Sequence, residues 1–228
     1  MKNKKIYTFL MLFLLFIFCI STKSHASNNE PSINSGSAIL LENSTSKVLF
    51  EKNMNEKLEP ASITKIMTAI LAIENCNLDD VVTVPYEAIS NIPSGYSVAP
   101  LQTDEQITVD QLLRVLMVHS ANDAANTLAY HIDGSIPAFA ERMNAKLNAL
   151  GLKDSHFTNP SGQHDTNHYS TAHDIAILLQ YCMKNTTFKT YASLKSCQLS
   201  ATNKSEERSF QNTNPMLQPN SSYYYKPL

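Results

Sequence analysis

The stretch Pro60-Ala61-Ser62-Ile63-Thr64-Lys65-Ile66-Met67-Thr68-Ala69 opens a helical pattern and puts a hydroxyl and an amine three positions apart. Residues at that spacing share one face of a helix. A serine hydroxyl is a weak nucleophile until a neighbouring base accepts its proton. A lysine can be that base when burial or nearby positive charge lowers its pKa. A helix N-terminus adds a field that favours an oxyanion beside it. Taken alone, the tetrad reads first as a capping Ser62 with a solvated Lys65, because Ser-x-x-Lys recurs by chance.

Working outward, Ile63, Ile66, Met67, Ile70 and Leu71 continue the helical spacing. Upstream, residues 37–42 and 47–51 flank Asn43-Ser44-Thr45-Ser46 and predict a hairpin. Downstream, residues 81–84 predict a short strand and residues 93–106 an irregular stretch. Thr108 with Gln111 is a capping-box pattern, opening a helix whose apolar face is Leu112, Leu113, Leu116 and Met117. That helix ends near His119-Ser120, and another starts at Asn122 or Asp123. Ser135 caps a further helix with Pro137 in its first turn, a stripe of Phe139, Met143, Leu147 and Leu150, and a stop at Gly151. Asn159-Pro160-Ser161-Gly162 is a turn. Thr171 with Asp174 predicts a second capping box, opening a helix through Ile175, Leu178, Leu179 and Cys182. Residues 199–201 and 207–211 are strand candidates. A hairpin, a helical block and strand-like sequence together make a mixed α/β (α+β) domain.

The junction Ser120-Ala121-Asn122 is the second chemical signal. Its hydroxyl and carboxamide can both face one cleft, although Ser and Asn are also ordinary cap residues. Taken with residues 60–69, Ser120-Ala121-Asn122-Asp123-Ala124-Ala125 resembles the second motif of the low-molecular-mass penicillin-binding proteins, the serine-type D-alanyl-D-alanine carboxypeptidases of peptidase family S11. The connecting stretches Leu150-Gly151-Leu152, His156-Phe157-Thr158-Asn159-Pro160-Ser161-Gly162 and His168-Tyr169-Ser170-Thr171-Ala172-His173-Asp174 resemble the family's too, and the resemblance runs in family order from about residue 36 to about residue 217. The resemblance implies a DD-peptidase/β-lactamase-like domain, an antiparallel sheet with a helical subdomain. It implies Ser62 as nucleophile, with its backbone N–H in the oxyanion hole. It also implies Lys65 as base, Ser120 in proton transfer and Asn122 on the substrate backbone. The implied substrates are peptidoglycan pentapeptide stems, with β-lactam antibiotics as acylating inhibitors and neither cofactor nor metal. A class A β-lactamase would need an acidic residue in the loop after the second motif, and residues 159–163 carry none.

The family's third motif, Lys-Thr-Gly, does not occur; Tyr223-Tyr224-Tyr225-Lys226-Pro227-Leu228 stands where the resemblance would lead towards it. Residues 27–228 are therefore expected to be an incomplete catalytic domain with its last strands missing and without the family's membrane-binding tail. Loss of one oxyanion donor typically costs about 10²–10³ in rate. An inactive remnant, or a protein that binds penicillin without turnover, is the competing reading.

Residues 1–26 read as a secretory signal: Lys2, Lys4 and Lys5, an apolar run over residues 6–20, then Ser24-His25-Ala26 with small residues at −3 and −1. The run is short for a membrane span, and Phe18 before Cys19 spoils a lipoprotein signal. The chain is thus expected outside the cytoplasm, on the cell-wall side of the membrane. The net charge of −2 includes the basic signal region, so the remainder is more acidic and offers no nucleic-acid footprint. Cys76, Cys182 and Cys197 are too few and odd in number for a disulfide framework. His164, His168 and His173 with Asp165 and Asp174 fall in a loop and a helix cap, and read as structural rather than metal-binding. Asp123 reads as a helix cap.

Overall fold

Residue pattern becomes structure first at the hairpin, where β1 (Ala38–Leu41) pairs antiparallel with β2 (Val48–Lys52), Ala38 opposite Lys52. In the computed structural model, which describes residues 31–225, Glu42 closes this turn. Its carboxylate accepts from the Thr45 and Ser44 hydroxyls and backbone N–H groups, which hold its pKa down at about 2. The proposed signal, residues 1–26, lies outside the described residues. The chain divides into Met1–Asn34 and Ser35–Leu228, and the fold below belongs to the second part.

A 3₁₀ turn, Ala61–Thr64, leads into α1 (Lys65–Asn75). The expected helical spacing is met by this helix, except that the first residue of the pattern, Ile63, falls before it. Ile63 lies in the 3₁₀ turn and is 50% exposed, while Met67, Thr68, Ala69, Ile70, Leu71 and Ala72 are buried in succession. A helix buried all round sits at the centre of its domain. Five later helices pack around α1: α3 (Val109–His119), α4 (Asn122–Asp133), α5 (Ile136–Ala149), α6 (Ala172–Cys182) and α7 (Thr186–Ala192).

Several of these helices start and stop as their sequences dictate. Thr108 and Gln111 form both halves of the capping box on α3. Ser135 caps α5 by accepting from Ala138 N–H, and Gly151 follows at φ +75°. Thr171 accepts from Asp174 N–H, but the second half of that box is not made. The Asp174 carboxylate instead accepts from Ser155 Oγ at 2.8 Å and Asp154 N–H at 3.1 Å.

The strands are all antiparallel, but they form three separate pairs among the described residues. Besides β1–β2, β3 (Val81–Thr83) pairs with β4 (Gln106–Thr108), and β5 (Ser196–Leu199) with β6 (Arg208–Gln211). Between β3 and β4 lies the short α2 (Tyr86–Ser90). The β5–β6 hairpin lies along α3, and Thr213 N–H donates to Val118 O at 3.1 Å. Cys182 and Cys197 are buried thiols whose pKa values burial raises to about 12 and about 11, as packing residues should show. No helix of the described residues is long and apolar enough to cross a membrane.

Candidate active site

The 3₁₀ turn exposes Ser62 while the following turn buries Lys65, whose side chain and backbone leave it 3% accessible. Lys65 Nζ approaches three oxygens: Asn122 Oδ1 at 2.9 Å, the Ser161 carbonyl at 2.8 Å and Ser62 Oγ at 3.2 Å. Burial lowers its pKa to about 8, against an opposing pull from the Asp123 charge. Lys65 is therefore a neutral amine in part at neutral pH and in about half of the molecules near pH 8. That amine has two N–H bonds and one lone pair. The Ser161 carbonyl and the Asn122 carboxamide oxygen can only accept, so they take the N–H bonds. The lone pair is left for the Ser62 hydroxyl.

The orientation of Asn122 is fixed by its other end. Its Nδ2 donates to the Ser97 carbonyl at 2.9 Å, an acceptor that admits only the NH₂ group. Asn122 begins α4 after a sharp break: Ser120 caps α3 in a left-handed conformation, φ 60° and ψ 36°. Ser120 is half-buried, and among the described residues its hydroxyl makes no hydrogen bond to Ser62 or Lys65. Ser62, Lys65 and Asn122 are thus brought into contact, and Ser120 stands two residues from Asn122 without joining them.

Asp123 is not a helix cap, because the α4 N-cap is Ala121 without a side-chain bond. Its carboxylate accepts from the backbone N–H groups of Ala99 and Leu101 at 2.9 and 3.0 Å. Burial raises its pKa, and these bonds pull it back down. The segment carrying Ser97 is thereby tied to the helix carrying Asn122. The same segment is held from the far side by Arg208, which donates to Ala99 O at 2.9 Å and pairs with the fully buried Glu105.

The third wall is the turn over residues 159–163. Asn159 Oδ1 accepts from Gly162 N–H at 2.8 Å and Gln163 N–H at 3.0 Å, curling the chain so that the Ser161 carbonyl faces Lys65. Thr68 Oγ1 donates to the Pro160 carbonyl at 2.6 Å, joining the turn to α1. His168 anchors it from behind. Thr158 N–H donates to Nδ1 at 3.1 Å, so Nε2 carries the proton and donates to Thr64 Oγ1 at 2.8 Å. Burial lowers the His168 pKa to about 4, keeping it in that neutral form. His164 pairs instead with Glu59 at 2.9 Å, and His173 lies 3.3 Å from Asp174.

Known proteins share this sequence pattern and this architecture. The model of the peptidase S11 family, D-alanyl-D-alanine carboxypeptidases, matches residues 24–225. The chain belongs to that family. Among curated S11 proteins it is 40% identical over 153 residues to the D-alanyl-D-alanine carboxypeptidase DacF of Bacillus subtilis, covering 65% of this chain and 39% of that protein. It is 34% identical over 177 residues to DacD of Escherichia coli, covering 72% and 46%. The chain therefore spans less than half the length of these relatives. Among solved structures, penicillin binding protein 6B of Escherichia coli superposes with a TM-score of 0.77 at 30% identity, over 87% of this chain and 64% of that one. A serine-to-alanine variant of the Streptomyces K15 DD-transpeptidase gives 0.79 at 29%, over 84% and 79%. The mixed α/β architecture is that of the DD-peptidases.

Sequence reading of this S11 chain missed Ser97, Asp123 as a clamp and the Ser161 carbonyl, whereas His168, read as structural, anchors the turn. The Asn-Pro-Ser-Gly segment was legible as a turn. That its carbonyl meets Lys65 depends on packing between distant segments, which local spacing does not encode.

Proposed function

We propose that the chain is a serine D-Ala-D-Ala carboxypeptidase that removes the terminal D-Ala from peptidoglycan stem peptides through an acyl-enzyme on Ser62. One observation carries the reading: the buried Lys65 amine, with two oxygens that can only accept, faces Ser62 Oγ at 3.2 Å. Lys65 takes the Ser62 proton as Oγ attacks the carbonyl between the two D-Ala residues. The N–H of Ser62, in the 3₁₀ turn that leads into α1, donates to the oxyanion that forms. Ser120 relays the proton from Lys65 to the leaving amine, and Asn122 holds the substrate backbone. D-Ala departs, and water then hydrolyses the ester. β-Lactams, which present a strained amide to the same hydroxyl, acylate Ser62. Residues 1–26 act as a secretory signal, and the enzyme works outside the cytoplasm on the cell-wall side of the membrane.

The test is release of D-alanine from a stem pentapeptide ending in D-Ala-D-Ala, followed by an enzymatic D-alanine assay. Wild-type protein is expected to release one D-Ala per peptide, with none above background from Ser62→Ala. Equal release by both proteins would remove Ser62 from the reaction.

A further inference from the structure

Gly162 is unlike the other glycines of the chain. A Cβ added there would lie 1.8 Å from the Ala61 carbonyl oxygen, 2.3 Å from its carbonyl carbon and 3.0 Å from Thr64 Oγ1; at Gly36, Gly95, Gly134 and Gly151 it would meet nothing within 4 Å. Two backbones are pressed together at this point. One carries Ala61, a non-glycine residue held at φ +46° immediately before Ser62. The other carries the Ser161 carbonyl, which accepts from Lys65. One turn thus touches the base through residue 161 and the residue before the nucleophile through residue 162. Asn159 Oδ1, accepting from Gly162 N–H, holds it in place.

We infer that Gly162 is a positioning residue for the Ser62–Lys65 pair. Its missing side chain lets the 159–163 turn close on Ala61, and that closure sets the 3.2 Å between Lys65 Nζ and Ser62 Oγ. The inference rests on the reading of Ser62 as nucleophile and Lys65 as base. A glycine needed only for its backbone angle would behave differently. Gly151 has φ +75° and Gly162 φ +78°, so alanine strains both alike, but only at Gly162 does the new methyl strike backbone.

The experiment compares Gly162→Ala with Gly151→Ala in the full chain. Acylation by benzylpenicillin is followed by intact mass across pH, normalised to folded protein. In parallel, the pH dependence of Lys65 acetylation by acetic anhydride is read by peptide mass. Gly162→Ala is expected to acylate about 10–100-fold more slowly. Its Lys65 midpoint should move upward from about 8, because water enters as the turn lifts. Gly151→Ala should keep the wild-type rate and midpoint. Equal behaviour of the two variants would overturn the inference. If wild-type protein forms no penicillin adduct, the nucleophile reading fails, while the Lys65 midpoints still decide what Gly162 does. If Gly162→Ala does not fold by circular dichroism, Asn159→Ala decides, since it frees the same turn without inserting an atom. Slow acylation with a raised midpoint in Asn159→Ala then supports positioning, and wild-type values overturn it.

Discussion

Lys65→Met is expected to slow acylation of Ser62 by benzylpenicillin about 10²–10⁴-fold, the usual contribution of a positioned general base. Methionine keeps the length and most of the volume of the side chain, so α1 stays packed around its buried neighbours. What it removes is the amine facing Ser62 Oγ, and it strands the Asn122 and Ser161 oxygens without a donor. The wild-type pH profile carries the same signature. Only the neutral amine accepts a proton, so the acylation rate rises with pH through the Lys65 pKa near 8 and levels above it. Lys65→Met should lose that rise as well as the rate. A variant that stays slow but keeps the inflection would assign the base to another group. Stopped acylation mixtures read by intact mass give both quantities.

Arg208→Met is expected to cost about 3–5 kcal/mol of stability, the range for breaking a buried ion pair from one side. Glu105 is fully buried, and Arg208 is its charged partner, supported by the Thr202 hydroxyl at 2.9 Å and the Gln102 N–H at 2.9 Å. Without Arg208 the carboxylate must stay buried and unpaired or take up a proton. For a domain of this size the loss corresponds to about 6–20 °C in Tm. Glu105→Gln combined with Arg208→Met should recover part of it, because an amide costs less to bury than an unpaired charge. Thermal unfolding followed by circular dichroism measures both. The consequence reaches the cleft, since Arg208 also holds Ala99 O, and the Ser97–Ala99 segment carries the acceptor that orients Asn122. A Tm unchanged in Arg208→Met would mean that the pair adds no net stability.

The parts of this fold legible in the sequence are those with local causes. Thr108 and Gln111 stand three apart and satisfy each other, so residue type and spacing alone disclose the capping box. Ser135 and Gly151 bracket α5 for the same reason. Hairpin β1–β2 follows from two short apolar runs around a polar turn. That Ser62 and Lys65 share a face was legible because they stand one helical turn apart, but spacing alone favoured a cap and a solvated lysine, and the resemblance to family motifs singled out both together with Asn122. Elements missed by sequence reading depend on distant partners. β4 exists by pairing with β3 across the whole of residues 84–105. α2 and α7 are short, and most of the burial in α7 comes from Phe188 and Tyr191, too few points for a period. The β5 strand starts at Ser196, ahead of the expected 199–201, because its inward residues Cys197 and Leu199 alternate with polar ones. Asp174 shows how tertiary contacts override local pattern: its carboxylate leaves the capping box for Ser155. Ser161, which completes the surroundings of Lys65, acts through its carbonyl, and a backbone group has no signature in residue type.

The most direct single measurement is the intact mass of folded protein after incubation with benzylpenicillin, beside a Ser62→Ala control. A stoichiometric adduct of one benzylpenicillin, mapped to the peptide carrying Ser62 and lost in the control, is expected if the buried Lys65 activates that hydroxyl. Folded wild-type protein that gains no mass, or a Ser62→Ala variant that gains as much, would contradict it.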